Sequence, residues 1–460
     1  MSSADISVDD KIGRKMKNAG VDVRSVDGLQ CDVLVTGGGA AGVATAVTAS
    51  RQGLKVILLE RYGFCGGGAV AGLSGTVCGM YLATDRVGAK PEAIITGFAK
   101  EFCDALEQRG GLAAPVRYGK TWTRVHDPLV WRDTADSLLE EAGVKVIYHA
   151  IATGVLLDGN ERIEGVTAWT KQGPLTIRAS VTVDASGDAD LVAMAGFDSF
   201  MGNGTHVQNP TMIFRLQGVN VERFIDAYGD DTIMGETVSA LLRERQLAGD
   251  NLPRSKIWLF PTTRPGELLC NCTRITGSDG RELNPLFYDD FTEGELNGRK
   301  QVHAYARFLK DYVAGCENAY VNDTGVQVGV RQTRQVEGVK KLMNVDVVRA
   351  RKFSDGIARS PWPIELHSGA KPKVEWVLDD YYEVPYGCFV PSRGEGLLVA
   401  GRCLSAEHEA VASARVTAQC FSYGHAIGHA AILAVRDGSE PRKVDPQAIR
   451  NALARDGARL

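Results

Sequence analysis

The 460-residue sequence lacks the features that define several large classes of protein. No apolar run approaches the ~18 residues of a membrane-spanning helix, and residues 1–20 have no apolar core like that of a secretory signal. Ten cysteines are too few for a disulfide scaffold and favour free thiols in a reducing cytosol. Basic and acidic residues number 52 and 56, so the net charge of -4 creates no field that would hold nucleic acid. We therefore expect a cytoplasmic globular protein that binds neither membranes nor nucleic acid.

Glycine is the residue type in clear excess, with 52 copies in the chain, against a usual share of about 7%. Several glycines follow the apolar run 33–35 and precede a small-residue segment that ends near Ser50, after which a second apolar run covers 56–59. This order of strand, glycine turn, helix and strand predicts a βαβ unit in a parallel sheet. Short apolar runs between 144 and 184 predict a β-meander that leads back into the same sheet.

Three of these glycines match the G-x-G-x-x-G fingerprint of dinucleotide-binding proteins. The first is suited to a sharp turn, the second to the close approach of a pyrophosphate, and the third to tight helix packing. An acid at the end of the second strand is placed to accept hydrogen bonds from ribose hydroxyls. A structural turn with no nucleotide is the alternative. The predicted contacts at this end of the cofactor are Gly37, Gly39, Ala41, Gly42, Glu60 and Arg61.

Three consecutive glycines after the acidic residue favour FAD over NAD as the dinucleotide. An NAD site predicts an ordinary strand–helix repeat after Glu60, whereas consecutive glycines would let the backbone lie along an extended ligand such as FAD. The sequence also has no second G-x-G-x-x-G unit for a separate NAD(P)H domain. FAD is therefore the predicted cofactor, and Gly66, Gly67 and Gly68 are predicted contacts.

Several further blocks, together with the fingerprint, carry a resemblance to a known family. They are VTVDASGDADLVAMAG at 181–196, LLCNCTRITGSDG at 268–280, GVQVGVRQTRQVEG at 325–338, SPWPIELHSG at 360–369 and the glycine- and alanine-rich block 382–431. Over about residues 30–435 the sequence resembles FAD-dependent oxidoreductases distantly related to the fumarate-reductase, aspartate-oxidase and glutathione-reductase flavoproteins. The resemblance does not specify a substrate, because members act on diverse molecules.

The resemblance implies further cofactor contacts. Gly187 and Asp188 would pass near the FAD phosphates or adenine, the alternative being a strand-end turn capped by Asp188. Gly401 and Arg402 would reach the ribityl chain or the pyrophosphate, the alternative being a solvated arginine. A helix from 413 to 428 would direct its N-terminus at the flavin N1/C2 carbonyl, where reduction leaves negative charge. Its residues nearest the flavin would be Ser413, Ala414 and Arg415.

Two histidines and an arginine are the catalytic candidates. Imidazole is the side chain most often used for proton abstraction near neutral pH, and the resemblance places His367 over the reactive face of the flavin. A surface histidine or a hydrogen-bonded core histidine is the alternative. Arg331 and Arg334 could clamp an acidic substrate group or simply tie an inserted domain to the FAD domain. His408, just before the predicted flavin helix, is the second candidate base.

The cysteines raise a redox-thiol alternative that the spacing disfavours. Glutathione-reductase-like enzymes carry C-x-x-x-x-C after the second strand, whereas twelve residues separate Cys65 from Cys78 here. Cys270 and Cys272 have no partner pair at zinc or iron–sulfur spacing. We predict structural thiols and no metal.

The predicted fold is α/β, a Rossmann-like FAD-binding domain with an inserted α+β substrate domain. The expected organisation is a leader at 1–30, the FAD domain at 31–204 and 396–437, the insertion at 205–395 and a C-terminal tail at 438–460.

The predicted function is an FAD-dependent oxidoreductase that moves a hydride between a small organic substrate and flavin N5, assisted by a base such as His367. Reduction of an activated double bond, a non-catalytic FAD sensor and, less favoured by the charge, an RNA-modifying flavoprotein are the alternatives. The substrate, the electron acceptor (oxygen, quinone or a redox protein), covalent flavin attachment and homo-oligomer formation stay open.

Overall fold

A computed structural model of the protein describes residues 28–204, 206–367 and 372–460, so most of the predicted leader lies outside the described residues. The strands in this part of the chain are Leu29–Thr36, Val56–Glu60, Thr76–Val77, Val116–Tyr118, Thr121–Val125, Lys145–Tyr148, Ile151–Leu157, Ile163–Thr170, Gly173–Asp184, Ser199–Met201, Phe214–Gln217, Trp258–Pro261, Glu267–Asn271, Tyr320–Thr324, Arg334–Val336, Gly356–Ser360, Ile364–Leu366, Lys373–Glu375, Tyr382–Pro385 and Leu397–Val399. The α-helices are Ala40–Arg51, Gly67–Val70, Phe98–Gln108, Pro128–Glu141, Asp190–Met194, Val221–Tyr228, Glu236–Leu247, Tyr288–Tyr312, Asn344–Val348, His408–Ala414, Thr417–Asp437 and Pro446–Arg455.

A parallel sheet forms the centre of the fold. Its strands lie in the spatial order Lys145–Tyr148, Val56–Glu60, Leu29–Thr36, Gly173–Asp184 and Leu397–Val399. Counted along the chain this order is 3-2-1-4-5, the order of the Rossmann fold, in which a ligand binds where the strand order reverses. The predicted α/β class and Rossmann-like arrangement are therefore confirmed.

The strand Gly173–Asp184 belongs to both parts of this sheet. Its first half pairs antiparallel with Ile163–Thr170, which in turn pairs with Ile151–Leu157. Its second half runs parallel between Leu29–Thr36 and Leu397–Val399. The predicted meander that leads back into the parallel sheet is confirmed.

Small residues let two helices pack closely on one face of the sheet. A Cβ added to Gly424, in the helix Thr417–Asp437, would lie 2.1 Å from the carbonyl oxygen of Ala41, and one added to Gly428 would lie 2.7 Å from the Cβ of Thr48. A Cβ on Gly42 would lie only 1.8 Å from the carbonyl oxygen of Gly37. These three glycines allow close packing, the role predicted for Gly42.

The insertion is an antiparallel sheet with its own hydrophobic core. The four strands lie in the order Trp258–Pro261, Glu267–Asn271, Phe214–Gln217 and Tyr320–Thr324, and the helix Tyr288–Tyr312 packs in the same core. Residues of the segment 336–390 pack instead in the core of the parallel sheet. The exact limits of the insertion, predicted at 205 and 395, stay a prediction.

The predicted helix from Ser413 is interrupted. One helix ends at Ala414 and the next begins at Thr417, with Val416 in an extended conformation (φ -75°, ψ 163°) between them. In the first turn of the second helix, the amide of Ala418 has no partner within the helix and donates to the carbonyl of Cys78 at 3.1 Å. None of the helices in the described ranges is long and apolar enough to cross a membrane.

Candidate FAD and substrate site

A cavity of about 340 Å³ begins at the carboxyl ends of the parallel strands and extends to the inserted sheet. It starts between Leu29–Thr36 and Gly173–Asp184, where the strand order reverses, and its volume lies in the ordinary range of ligand pockets, roughly 300–1,000 Å³. Of the residues predicted from the sequence, those that line it are Gly37, Gly39, Ala41, Glu60, Arg61, Gly66, Gly67, Gly68, Gly187, Arg331, His367, Gly401, Arg402 and Arg415.

Two glycine turns face each other at the outer part of the cavity. Gly37 has φ +105°, and a Cβ there would lie 2.4 Å from the carbonyl oxygen of Ala185, so the turn requires glycine. A Cβ on Gly39 would meet only the Cα of Gly67, at 3.9 Å. No side chain therefore covers the backbone of Gly39 and Gly67 where it borders the cavity, next to the start of the helix Ala40–Arg51. Free helical N–H groups beside bare backbone form a suitable cradle for a pyrophosphate.

Glu60 is fixed at the end of its strand. One carboxylate oxygen accepts from the amide of Gly38 at 2.6 Å and the other from the amide of Tyr62 at 2.9 Å. Burial raises the pKa of Glu60, although these two hydrogen bonds oppose the shift. Each oxygen keeps a lone pair that could accept a ribose hydroxyl.

A charged pair occupies the loop after Gly173–Asp184. Arg402 donates to Asp188 at 2.9 Å, and the hydroxyl of Thr333 also donates to this carboxylate. Burial alone would raise the pKa of Asp188, but Arg402 and Thr333 lower it. Arg402 borders the cavity as an ion-paired side chain, and Asp188 is not among the residues that line the cavity.

A buried acid that the sequence analysis missed organises this loop. Asp184 accepts from the amides of Leu191 and Val192 through one oxygen, and from the amide and hydroxyl of Ser186 through the other. Burial raises its pKa to about 6. The position of Asp184 at a strand end followed by a helix was the signal that could have identified it.

Four other predicted contacts lie away from the cavity. Gly42 packs against the turn at Gly37. The hydroxyl of Ser413 donates to the carbonyl of Trp362 at 2.6 Å, and Ala414 is fully buried beside it. His408 is half-buried at the start of its short helix. The cavity wall instead contains Arg415, Val416, Thr417 and Cys420, because the helix that reaches it begins at Thr417.

The two arginines of VRQTR separate in the structure. Arg334 donates to Asp190 at 2.6 Å and to the carbonyl of Asp188 at 2.9 Å, so it ties neighbouring segments together. Arg331 borders the inner end of the cavity and donates to the carbonyl of Asn209 at 2.6 Å. These contacts favour the tie between segments for Arg334, and of the two arginines Arg331 is the one that lines the cavity.

The inner end of the cavity is a cluster of buried polar side chains. His367 receives a hydrogen bond at Nδ1 from the guanidinium of Arg254, at 2.5 Å. Its Nε2 lies 3.8 Å from Glu365, whose other oxygen accepts from the hydroxyl of Tyr118 at 2.6 Å. The ring of Trp362 lies against that of Tyr118, with centroids 5.1 Å apart. Sequence analysis missed Arg254, Glu365 and Tyr118, which come from distant parts of the chain.

Positive charge is in excess at this end. Arg254, Arg331 and Arg415 are all deeply enclosed, and no ion pair joins them to a carboxylate among the residues that the structure describes. Burial lowers the pKa of each, that of Arg415 to about 10. Burial and the nearby arginines also hold the pKa of His367 well below its usual range. A site with this charge favours an anionic ligand.

The thiols near the cavity are poor nucleophiles. Burial raises the pKa of Cys78 to about 11 and that of Cys420 to about 12. Cys65 is buried, and burial raises its pKa to about 12. A thiol at these values is not ionised near neutral pH, so these cysteines do not favour the redox-thiol alternative.

A separate cluster near the C-terminus contains His425, His429 and Asp456, whose ligand atoms all lie within 4.8 Å of one another. Asp456 lies 2.9 Å from Nε2 of His425 and 2.8 Å from Nε2 of His429. The amide of Phe98 donates to Nδ1 of His425, which places the proton of that neutral ring on Nε2, toward Asp456. This arrangement is a hydrogen-bonded link between the last helix and the sheet domain.

The fold and this cavity define a dinucleotide-binding flavoprotein of the Rossmann type. The chain belongs to the FAD dependent oxidoreductase family, whose sequence model matches residues 32–453. This match confirms the resemblance seen in the sequence, the FAD cofactor and the assignment as an enzyme.

The chain is also similar, at low sequence identity, to several individual proteins. The chain is 26% identical over 222 residues to a thiamine thiazole synthase of Aeropyrum pernix, covering 46% of this chain and 74% of that protein. It is 28% identical over 176 residues to one of Methanoculleus marisnigri, covering 36% and 61%. Among solved structures, a geranylgeranyl bacteriochlorophyll reductase-like protein of Thermoplasma acidophilum has a TM-score of 0.48 at 14% identity, covering 92% of this chain and 82% of that one. A flavin-dependent brominase has a TM-score of 0.47 at 14% identity, with 92% and 84% covered.

Proposed function

We propose that this FAD-dependent oxidoreductase transfers a hydride between flavin N5 and a C–H bond of a small carboxylic acid. The observation that carries the proposal is a set of three guanidinium groups, those of Arg254 and Arg331, which are buried, and that of Arg415, which is partly buried. None of the three has a carboxylate ion-pair partner in the described residues. Buried charges are costly unless they are paired, so a ligand carboxylate at this place would stabilise them. Arginine also suits a carboxylate because its planar fork can donate two parallel hydrogen bonds.

The cavity residues fit FAD at the other end. Gly39 and Gly67 would border the pyrophosphate, and Glu60 would accept from the ribose hydroxyls of the adenosine. The N-terminus of the helix Thr417–Asp437 borders the cavity next to Arg415. The positive end of this helix favours negative charge on a flavin. When bound, FAD supplies a two-electron acceptor for the hydride.

The residues around the arginines would bind and enclose the acid. Arg331 and Arg415 both border the cavity and would hold the carboxylate, while Trp362 and Phe260 form apolar walls. Such walls exclude water and strengthen the ion pairs made inside them. The same arginines and apolar walls would also serve the reverse reaction, the reduction of an activated double bond. A screen in both directions distinguishes the two reactions.

The test is an anaerobic screen for bleaching of the visible flavin band. The purified FAD-loaded protein is mixed with 2-hydroxy acids, 2-amino acids and saturated dicarboxylic acids, each beside its methyl ester or amide. We expect at least one acid to bleach the flavin and its neutral counterpart to fail, because only the acid pairs with the arginines. The reverse direction is tested with dithionite-reduced enzyme and α,β-unsaturated acids. Bleaching by neutral compounds as effectively as by acids would contradict the proposed substrate class.

A further inference from the structure

The hydrogen bonds around His367 restrict which proton it can carry. A guanidinium group can only donate, so the contact from Arg254 to Nδ1 of His367 at 2.5 Å uses the Nδ1 lone pair. A neutral imidazole has one protonated nitrogen, and in this ring it is therefore Nε2. This nitrogen faces Glu365, 3.8 Å away. His367 thus presents an N–H donor to the inner cavity, and both of its nitrogens are unavailable as a proton acceptor.

Glu365, in contrast to His367, has an atom that is available to accept a proton. It is buried, borders the cavity, and accepts from the hydroxyl of Tyr118 at 2.6 Å through Oε1. Its Oε2 lies on the side of His367 and forms no hydrogen bond within the described residues. A cavity-lining carboxylate with one anchored oxygen, and a second oxygen that forms no hydrogen bond within the described residues, is suited to act as a general acid or base.

We propose that Glu365 transfers the proton of the reaction, while Arg254 holds His367 as a neutral hydrogen-bond donor to the substrate. The substrate class rests on the proposed function, but the assignment of the proton does not. The sequence-based prediction of His367 as the base did not consider Arg254, because nothing in the sequence indicates that this arginine contacts Nδ1 of His367.

We consider an acid whose oxidised carbon itself carries a hydroxyl or amine. The C–H bond of that carbon would break with its electron pair, and bound FAD would supply the two-electron acceptor for this hydride. The O–H or N–H bond of the substrate breaks as an O–H bond forms on Glu365, and a C=O or C=N bond forms in the substrate, which is oxidised. His367 donates from Nε2 to the reacting oxygen or to the carboxylate and neither gains nor loses its proton.

Burial raises the pKa of Glu365, and Tyr118 and the three arginines oppose the shift. The carboxylate must be ionised to accept a proton, so oxidation of the substrate should become faster as pH rises through this pKa. The hydrogen bond from Tyr118 favours the ionised form, so Tyr118→Phe should move the ionisation to higher pH.

The decisive kinetic comparison uses Glu365→Gln, His367→Gln and His367→Ala in rapid-mixing reduction of the flavin. The reductant is the compound that bleaches best in the screen, whether acid or neutral. We expect Glu365→Gln to lose a factor of about 10²–10⁴ and the pH dependence. His367→Gln keeps a donor but no proton acceptor, so it should retain the ionisation and reduce the flavin faster than His367→Ala. Equal slowing of both His367 variants, with a normal pH profile in Glu365→Gln, would overturn the proposal.

A ligand-free measurement decides the role of His367 even if no compound bleaches the flavin. In the FAD-loaded protein labelled with ¹⁵N-histidine, the His367 signal, assigned by its loss in His367→Gln, should show a neutral ring with the proton on Nε2 between about pH 6 and 8. Arg254→Met should let the proton occupy Nδ1 as well. A ring that becomes doubly protonated in this range, or that carries its proton on Nδ1 in the wild type, would refute the proposal.

Glu383→Gln is the matched control, because Glu383 is a buried glutamate that accepts from the amide of Phe353 at 2.8 Å and does not border the cavity. It should reduce the flavin at the wild-type rate with an unchanged pH profile. Glu365→Asp keeps a carboxylate and should therefore retain an ionisation in the pH profile. This variant keeps the proposal testable if Glu365→Gln does not fold. If only neutral compounds bleach the flavin, the proposed substrate class fails while the test of Glu365 proceeds with those compounds.

Discussion

Gly39→Val separates loss of the cofactor from loss of the fold. The backbone at Gly39 is extended with a negative φ of -70°, which valine adopts without strain. An added Cβ meets only the Cα of Gly67, at 3.9 Å. The protein itself therefore has room for a Cβ at this position, and we expect the apo form to keep most of its stability.

The same substitution fills the gap that a pyrophosphate needs. The valine methyl groups would lie between the two glycine turns, and the phosphate could not reach the backbone amides there. Hydrogen bonds to a charged group contribute about 1.5–3 kcal/mol each. At the lower energy, losing one hydrogen bond would weaken FAD binding by at least about tenfold and losing two by at least about a hundredfold. At the higher energy, losing two would weaken FAD binding by more than about a thousandfold.

The assay is the dissociation constant of FAD, measured by titration of the apo-protein, together with its melting temperature. Gly235→Val is the matched control, because Gly235 also precedes a helix with an extended backbone (φ -67°, ψ 179°), a Cβ there meets nothing within 4 Å, and the residue does not border the cavity; it should bind FAD normally. Gly37→Ala should instead unfold more easily, since its φ is +105° and its Cβ would lie 2.4 Å from the Ala185 oxygen. Stoichiometric FAD in Gly39→Val would show that this turn is not the phosphate site.

Three further predictions follow from the placement of single residues. His408→Ala should keep FAD and reduce the flavin at the wild-type rate, because His408 does not border the cavity; slower reduction in rapid mixing would contradict this. Ser413→Ala should lower the free energy of unfolding by about 1–3 kcal/mol, since it removes the hydroxyl that donates to Trp362, and should leave the FAD dissociation constant unchanged; weaker FAD binding would restore Ser413 as a contact. Burial raises the pKa of Asp184 to about 6, so its contribution to stability is present below its unfolded pKa near 4 and is lost as pH rises through 6. The wild type should therefore lose about 2 kcal/mol relative to Asp184→Asn between pH 4 and 7 in denaturant unfolding, and a parallel pH dependence of the two would refute this assignment.

The outer half of the site could be predicted because its chemistry is local in sequence. A strand, a glycine turn and a helix N-terminus are encoded within about thirty residues, and the acid at the end of the next strand, Glu60, has a fixed spacing from them. Gly66–Gly68 lie next in the chain and face the same turn. These contacts rest on backbone geometry, which glycine residues reveal directly.

The inner half could not be predicted because its parts meet only in the fold. Tyr118 and Glu365 are 247 residues apart, and Arg254 and His367 are 113 apart. The role of His367 depends on which neighbour contacts Nδ1, a detail that residue type alone does not contain. The helix that begins at Thr417 was predicted to begin too early in the sequence, at Ser413, because no glycine or proline marks the break at Val416.

The central claim, that the buried arginines hold a carboxylate beside the flavin, is tested most directly by an equilibrium titration with oxalate. Oxalate carries two carboxylates and has no C–H bond, so it cannot be oxidised by hydride loss, and its binding is followed by the change in the visible flavin spectrum. We expect a saturable change in the wild type, at least about tenfold weaker binding in Arg331→Gln, equivalent to about 1.4 kcal/mol, and unchanged binding in the control Arg162→Gln, whose side chain pairs with Glu440 away from this cavity. No spectral change in the wild type, or equal affinity in Arg331→Gln, would contradict the claim.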